Sequence, residues 1–329
     1  MARAWHLKSR PETMPLADNF ELKEFDQTPL GDGMIRVANQ WLSVDPYMRG
    51  RMRDVKSYVP PFAIGEPMQG GAIGKVVEST ADGIATGDLV QHMLGWRDEA
   101  VLPASEAQKL PDLGIPVQSF LGFLGMPGMT AYFGLLDVAA AKEGDVVFVS
   151  GAAGAVGSTV IQLAKAKGMT AIGSAGGEEK CDWVKSLGAD AVVDYKSGGE
   201  LMPKLMEAAP QGIDVYFDNV GGEHLDAAFA VANPGARFAE CGMISGYNST
   251  EPMEFKYIMN IIGKGLMLRG FIVTQFMGRM AEFHEDMGKL VQAGKIKGEE
   301  TVHEGLESQV DAFRGLFTGG NTGKMLVKV

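Results

Sequence analysis

Among 329 residues there are only two cysteines, Cys181 and Cys241. They form neither a disulfide framework nor a metal-ligand spacing, which fits a reducing compartment. The five histidines, His6, His92, His224, His284 and His303, are scattered without ligand spacing, so each reads as a core or surface histidine. No apolar run reaches the roughly 18 residues of a membrane span. The opening residues, MARAWHLKSRPETMP, lack the apolar core of a secretory signal. The expected location is the cytoplasm. Basic residues are in deficit as well: 30 Lys and Arg face 41 Asp and Glu, a net charge of −11. Such a surface repels nucleic-acid backbones, although one basic pocket for a single phosphate remains compatible with it. Internal repeats and low-complexity tracts are absent.

What remains is ordinary globular material, 46% hydrophobic and 22% charged. The length exceeds what one core usually serves, so two domains are expected. Residues 1 to about 120 read as β-rich, with strand candidates at Ala4–Leu7, Phe20–Phe25, Met34–Val44, Gly71–Ser79, Asp88–Leu94 and Glu99–Leu102. Gly, Pro and Asp separate them, the pattern of a barrel or sandwich. A helix is expected at Gly128–Ala140, and strand–helix alternation follows. Its strands are Val146–Val149, Thr170–Gly173, Ala191–Val193, Val215–Phe217, Ala236–Cys241 and Leu266–Gly270. Its helices are Val156–Lys167, Glu178–Leu187, Glu200–Ala208, Gly222–Val231 and Phe255–Ile262. This predicts an α/β fold with a doubly wound parallel sheet and a ligand at the carboxyl ends of its strands. Gln275–Gln292 reads as one long amphipathic helix, Gln309–Phe317 as a shorter one, and Lys324–Val329 as a last strand returning to the first domain.

The most informative stretch is Asp145–Lys167, DVVFVSGAAGAVGSTVIQLAKAK. Val146–Val149 is an apolar run suited to a strand buried on both faces. Val156, Val160, Ile161 and Ala164 share one helical face. Gly151, Gly154 and Gly157 lie between strand and helix, where a sharp turn, a ligand and close packing each demand a missing side chain. The first position of G-x-G-x-x-G is Ala152, so the match is partial. The helix amides would then face an anion. Downstream, the second strand ends in Ser174-Ala175-Gly176-Gly177, with no acid to bond a ribose 2′-hydroxyl. Lys180 follows, a cation suited to a 2′-phosphate. Glu178 and Glu179 stand beside it, and a solvated surface lysine is the alternative reading.

Six stretches carry a family resemblance: VDPYMRGRM (Val44–Met52), LGMPGMTAYFGLL (Leu124–Leu136), SGAAGAVGS (Ser150–Ser158), FDNVGGE (Phe217–Glu223), CGMISGYN (Cys241–Asn248) and GNTGK (Gly320–Lys324). The chain resembles the zinc-free medium-chain dehydrogenase/reductases, in the branch of leukotriene B4 12-hydroxydehydrogenase, prostaglandin reductase and alkenal double-bond reductases. The resemblance implies a GroES-like β domain over residues 1–122 and 300–329, completed by the C-terminus, and a Rossmann domain over 123–299. It also implies NADPH and a homodimer paired through a Rossmann edge strand, for which Leu266–Val273 is the candidate. Lys180 and Tyr195 would hold the 2′-phosphate end, and Gly154, Ala155, Val156 and Gly157 the pyrophosphate. Asn219, Cys241, Gly242, Met243, Ile244, Ser245, Gly246, Tyr247, Phe271, Ile272 and Val273 would line the rest, with Asn321 reaching in from the C-terminal loop. Met126 and Thr130 would flank the nicotinamide. Asn219 and Asn321 also read as turn residues, and Tyr195 as a half-buried strand-end tyrosine.

Where zinc-containing relatives place ligands, this chain reads Leu42-Ser43-Val44-Asp45, Gly65-Glu66-Pro67 and Gly125-Met126-Pro127, with no Cys or His. Asp45 and Glu66 alone do not make a tetrahedral N/S zinc site, so no metal is expected. Oxidising a simple alcohol without a Lewis acid is hard. Reduction of an α,β-unsaturated aldehyde or ketone asks less: a positioned hydride donor and a hydrogen bond to the forming enolate. A phenol, protonated at neutral pH, can donate that bond. Tyr247 is the first candidate and Tyr47 the second, with the cofactor ribose hydroxyl as a non-protein donor. Alternative readings are a quinone reductase or hydroxy-lipid dehydrogenase of the same superfamily, and a non-catalytic NADPH-binding scaffold.

Overall fold

A computed structural model describes all residues, Met1–Val329. The chain divides into two units, Met1–Leu121 with Glu300–Val329, and Gly122–Glu299.

The first unit begins with β1 (Ala2–Leu7) and β2 (Phe20–Phe25), an antiparallel pair. Then come β3 (Met34–Ser43), α1 (Tyr47–Arg51), β4 (Ala72–Ser79), β5 (Leu89–His92), β6 (Glu99–Pro103) and β7 (Gln108–Lys109). In the second unit follow α2 (Met126–Phe133), β8 (Val146–Val149), α3 (Ala155–Ala166), β9 (Thr170–Ala175), α4 (Glu178–Ser186), β10 (Ala191–Asp194) and α5 (Leu201–Ala208). It continues through β11 (Ile213–Asp218), α6 (Gly222–Val231), β12 (Ala232–Glu240), α7 (Asn260–Gly263), β13 (Met267–Gly270) and α8 (Met280–Gln292). The chain ends in the first unit with β14 (Glu300–Glu304), α9 (Gln309–Leu316) and β15 (Lys324–Lys328).

The first unit's main sheet has seven strands, in the order β14-β15-β3-β4-β5-β7 with β6 on β3. The returning strand β15 pairs antiparallel with β3, Leu326 opposite Ser43. Its core gathers Trp96, Phe20, Met48, Phe313 and Val327. The Trp96 ring stacks on Phe20 and meets Phe313 edge-on. A buried ion pair fastens the C-terminus. Lys324 Nζ donates to Asp45 Oδ1 at 3.1 Å and to the Val44 and Met325 carbonyls at 2.7 and 2.9 Å. Asp45 also accepts a hydrogen bond from Ser43.

In the second unit six parallel strands run β10-β9-β8-β11-β12-β13. Taken in chain order from β8, that is 3-2-1-4-5-6, the doubly wound dinucleotide-binding order. The apolar run of β8 forms because both its faces are covered, with Val147, Phe148 and Val149 fully buried. The strand order reverses between β8 and β11, and their carboxyl ends carry the site.

Three expected elements differ. The helix expected at Gly128–Ala140 is α2 followed by a wide π-type turn, Gly134–Val138. A Cβ on Gly134 would lie 2.5 Å from the Phe271 ring and 2.6 Å from Phe217, so packing sets the local geometry there. Of Phe255–Ile262, only the short α7 is helical. The rest is anchored by tertiary contacts, the Tyr257 amide donating to Asp226 and Phe255 packing edge-on against Phe229. The expected Gln275–Gln292 helix begins instead as a 3₁₀ segment, Val273–Arg279. Phe276 turns inward there, stacked on Phe133 at 4.6 Å, and helical periodicity starts only at Met280. Strand β14 was not expected; its polar sequence, ETVHE, hides it.

Lys324→Ala is expected to lower stability by about 3–5 kcal/mol, because it leaves Asp45 buried without its cation. Urea unfolding checks this; a loss under about 1 kcal/mol would mean the pair holds nothing.

Candidate functional site

The glycine-rich turn leaves β8 at Ser150. Gly151 takes a left-handed φ of 59°, and the Ala152 amide donates to the Ser174 carbonyl at 2.8 Å, drawing the turn against β9. A Cβ on Gly157 would sit 2.4 Å from the Gly151 carbonyl oxygen and 2.8 Å from Ala152 Cα, so this glycine is required for helix-on-turn packing. Gly154 differs. A Cβ there would meet only the Gly151 oxygen at 3.4 Å, and its φ is an ordinary −83°. No side chain caps α3, whose first amides belong to Ala155, Val156 and Gly157. The protein's own packing does not demand a glycine at 154, and the space beside those amides is open to an anion. The cradle therefore fits a pyrophosphate.

At the end of β9, Gly177 is again left-handed, φ 96°. Asp194 Oδ1 accepts from the amides of Gly177 and Lys196 at 2.9 and 2.8 Å, which folds the β10 end over this turn. The Tyr195 ring consequently lies against Gly176, its hydroxyl 2.6 Å from where a Cβ would stand. On its other side it meets the buried His224 ring edge-on at 5.2 Å. Burial lowers the half-buried Lys180 ammonium's pKa, and the neighbouring Lys196 lowers it further; Glu179 opposes them weakly. Two cations and a phenol thus meet where the 2′-position of a bound dinucleotide would lie. Lys196, which sequence reading did not single out, shares the DYK triplet with Tyr195.

The ends of β11 and β12 are organised by Asp218, which is fully buried. Its Oδ1 accepts from Ser150 Oγ, the Tyr216 hydroxyl and the amides of Val220 and Gly221, all at 2.7–2.8 Å. Its main-chain oxygen accepts from the Cys241 and Gly242 amides at 3.0 and 3.1 Å. Asn219 is tied to the same place, donating its amide to Ser150 Oγ and its side chain to the Ser150 carbonyl. The loop Cys241–Tyr247 then turns as one piece, Gly242, Met243 and Ile244 half-buried, Ser245 exposed. The Ile244 amide donates to Asn219 O, Ser245 Oγ to Val220 O, and the Gly246 amide to Met243 O. The Tyr247 hydroxyl folds back to 3.0 Å from the place a Gly242 Cβ would take. Burial pushes the Cys241 thiol up to about 12, so it stays neutral.

Other expected residues divide. Thr130 Oγ1 donates to the Met126 carbonyl at 2.8 Å, one turn back, so the two residues lie on the same face at the start of α2. Ile272 and Val273 follow β13, half-buried and buried. The Phe271 side chain points into the core, edge-on to Phe217 and Phe276, so only its backbone is available to a ligand. Asn321 and Tyr47 belong to the first unit. Asn321 Nδ2 closes its own turn onto Gly323 O at 2.8 Å. Tyr47 opens α1, and its hydroxyl is shielded from solvent beside the Arg51 guanidinium, with no acceptor for its own proton. Burial raises its pKa well above the ordinary phenol value, helped by nearby Asp45 and opposed by Arg51.

No three His, Cys, Asp or Glu side chains converge as a metal site would require. Asp45 is engaged by Lys324 and Ser43, Glu66 is exposed, and His92, His6 and His284 are hydrogen-bonded to Asn39 and to the Gly65 and Leu124 carbonyls. No helix is long and apolar enough to cross a membrane.

Comparison with known proteins finds relatives over nearly the whole chain. Residues 3–110 match the family model described as the N-terminal domain of oxidoreductase, and residues 155–293 the one described as zinc-binding dehydrogenase. The chain is 41% identical to an NADPH-dependent curcumin reductase of Escherichia coli, over 99% of this chain and 96% of that protein. It is 40% identical to a 2-alkenal reductase (NADP(+)-dependent) of Nicotiana tabacum, over 98% and 96%. The crystal structure of CurA from Vibrio vulnificus in complex with NADPH superposes with a TM-score of 0.94 at 41% identity, covering 99% of each chain.

Two glycine substitutions separate packing from binding. Gly154→Ala should fold normally yet weaken dinucleotide binding about tenfold or more, by filling the anion's space. Gly157→Ala should cost stability, about 1–3 kcal/mol. Thermal melts and fluorescence titration with NADPH check both; unchanged affinity in Gly154→Ala would move the pyrophosphate elsewhere.

Proposed function

This chain belongs to the medium-chain dehydrogenase/reductase family, in the branch of prostaglandin, alkenal and curcumin reductases, and from that premise we propose that it reduces the C=C bond of α,β-unsaturated aldehydes and ketones with NADPH. The observation that carries the reading is the parallel sheet in dinucleotide-binding order, with an open Gly154 cradle and two lysines at its second strand end.

NADPH, when bound, supplies the hydride for the β-carbon. The residues of this chain bind, orient and donate. Gly154, Ala155, Val156 and Gly157 take the pyrophosphate on backbone amides. Lys180, Lys196 and Tyr195 take the 2′-phosphate; the absence of an acid at the β9 tip removes the repulsion a carboxylate would exert. Asn219, the loop from Cys241 to Tyr247, Ile272, Val273 and the Phe271 backbone line the remaining dinucleotide. Thr130 meets the carboxamide while Met126 excludes water. Asn321 contributes from its closed turn. A donor to the forming enolate oxygen must stay protonated and have no competing partner. Tyr47 meets both demands: burial keeps it protonated, and the Arg51 guanidinium beside its hydroxyl can only donate, which leaves the phenol proton free. Tyr247, folded back over Gly242, takes second place. This order reverses the one read from sequence, where the resemblance to the reductases, which place a substrate-facing tyrosine just after a sheet strand, put Tyr247 first.

The sheet's exposed edge supports a homodimer. Strand β13 pairs only with β12, all four of its residues are exposed, and Met267 at 57% and Leu268 at 38% show apolar side chains there. An open apolar edge is a liability until another strand covers it. A second copy, edge to edge, does so. Sedimentation of the wild type as a monomer at micromolar concentration would remove this proposal. The reading places the protein in the cytoplasm, where NADPH is available and free thiols persist.

The activity test mixes protein and NADPH with enals, enones, quinones and simple alcohols, following loss of reduced-nicotinamide absorbance. Turnover of conjugated carbonyls is expected; turnover of quinones alone would favour a quinone reductase, and none at all a binding scaffold. Tyr47→Phe should lower kcat about a hundredfold with NADPH affinity retained, and an unchanged kcat would pass the donor role to Tyr247 or the ribose hydroxyl. Lys180→Ala should weaken NADPH roughly 10- to 100-fold and NADH little; equal losses would end its phosphate role.

A further inference from the structure

Asp218 and Glu240 stand side by side, register partners at the carboxyl ends of adjacent parallel strands. Partners in that relation project from the same face, about 5 Å apart. Asp218 spends its Oδ1 on four donors. Its Oδ2 and both carboxyl oxygens of Glu240 are shielded from water and have no donor at all. Three buried acceptors without a donor, on two neighbouring acids, would be severely unfavourable if both were ionised. A single proton resolves the arrangement, giving one oxygen a donor and removing one charge.

We propose that Glu240 is a positioning residue carried as the neutral acid, its proton bonded to Asp218 Oδ2, and that this acid–carboxylate clip holds the loop Cys241–Tyr247 in its ligand-binding shape. The loop starts at the next residue, and its first two amides are bonded to the main-chain oxygen of that same Asp218. Losing the proton would set two negative charges against each other under the loop's anchor and drive the β11 and β12 ends apart. The inference rests on the reading of this loop as cofactor-lining.

The surroundings favour the neutral form. Burial, then the charge of Asp218, push Glu240 up to about 9. Tyr216, which donates to Asp218, and Cys241 are the other titratable neighbours, and burial raises both, so they stay neutral. His224, within the field of Asp218, is pushed down to about 4 by burial and is neutral as well. From β8 the facing group is the Ser150 hydroxyl, and on β13 the register partner is Gly270. No cation is bonded to either acid. The sign follows: an acid with a raised folded pKa contributes stability that is complete below its unfolded value and lost as pH rises through the folded one.

Two measurements test the clip. Infrared titration of the cofactor-free protein should show a buried protonated-carboxyl band at neutral pH that vanishes near pH 9 and is missing in Glu240→Gln. Its absence from the wild type at neutral pH overturns the proposal. The second measures the dissociation constant of NADH, chosen because it does not use the 2′-phosphate contacts and so is blind to deprotonation of Lys180. If only the protonated clip is competent, that constant should rise about tenfold between pH 8 and pH 10 in the wild type. In Glu240→Gln, whose amide can donate but not ionise, the ratio between the two pH values should stay near one. Equal pH dependence in both proteins overturns the positioning role. If the band is present but that ratio does not differ, the loop is not where the cofactor binds; if neither NADH nor NADPH binds at either pH, the cofactor reading itself fails.

Discussion

One buried carboxylate organises the business end of the second unit. Asp218 Oδ1 collects a hydroxyl from β8, a phenol from its own strand and two amides from the turn that follows. Its carbonyl oxygen holds the first two amides after β12. Hydrogen bonds to a charged acceptor are about twice as strong as neutral ones, and burial strengthens them further. Three neighbouring strand ends, β8, β11 and β12, are therefore fixed relative to one another. The glycine-rich turn, Asn219 and the loop to Tyr247 all leave from those ends. A site assembled from separate loops gains its precision from this common anchor.

The first unit depends on a comparable device in a different place. Lys324 brings the C-terminal strand onto the segment that introduces Tyr47, bonding to Asp45 and two carbonyls. Aspartate and lysine here are structural, although Asp45 stands where zinc-containing relatives keep a ligand. A carboxylate saturated by an ammonium and a hydroxyl has little left for a metal ion. Burial keeps the Tyr47 phenol neutral, and its neighbour Arg51 can only donate to it, which leaves the proton that a hydrogen-bond donor to an enolate requires.

Much of this was legible in the chain itself. The alternation of apolar runs and amphipathic stretches located β8, α3, α4 and α6 within a residue or two, because local period and burial agree there. It failed where tertiary packing overrode local preference. Phe276 turns inward and replaces the first helical turn before α8 with a 3₁₀ segment; Phe217 and Phe271 press on Gly134 and widen the end of α2. A polar strand such as β14 leaves no period to find. Lys196 and Glu240 were also passed over, the one masked by an ordinary surface context, the other by a strand pattern in which a single acid looks like an exposed position.

The sequence alone determined the class of fold, the place of the glycine-rich turn after β8 and the absence of an acid at the β9 tip, since these depend on residues adjacent along the chain and on side chains that are simply missing. Only the tertiary structure decided which glycine is demanded by packing and which leaves room for a ligand, which tyrosine hydroxyl is buried without an acceptor, and that Asp218 and Glu240 face each other. Those properties belong to pairs of residues brought together across strands. Register and burial create them, and no linear pattern carries that information.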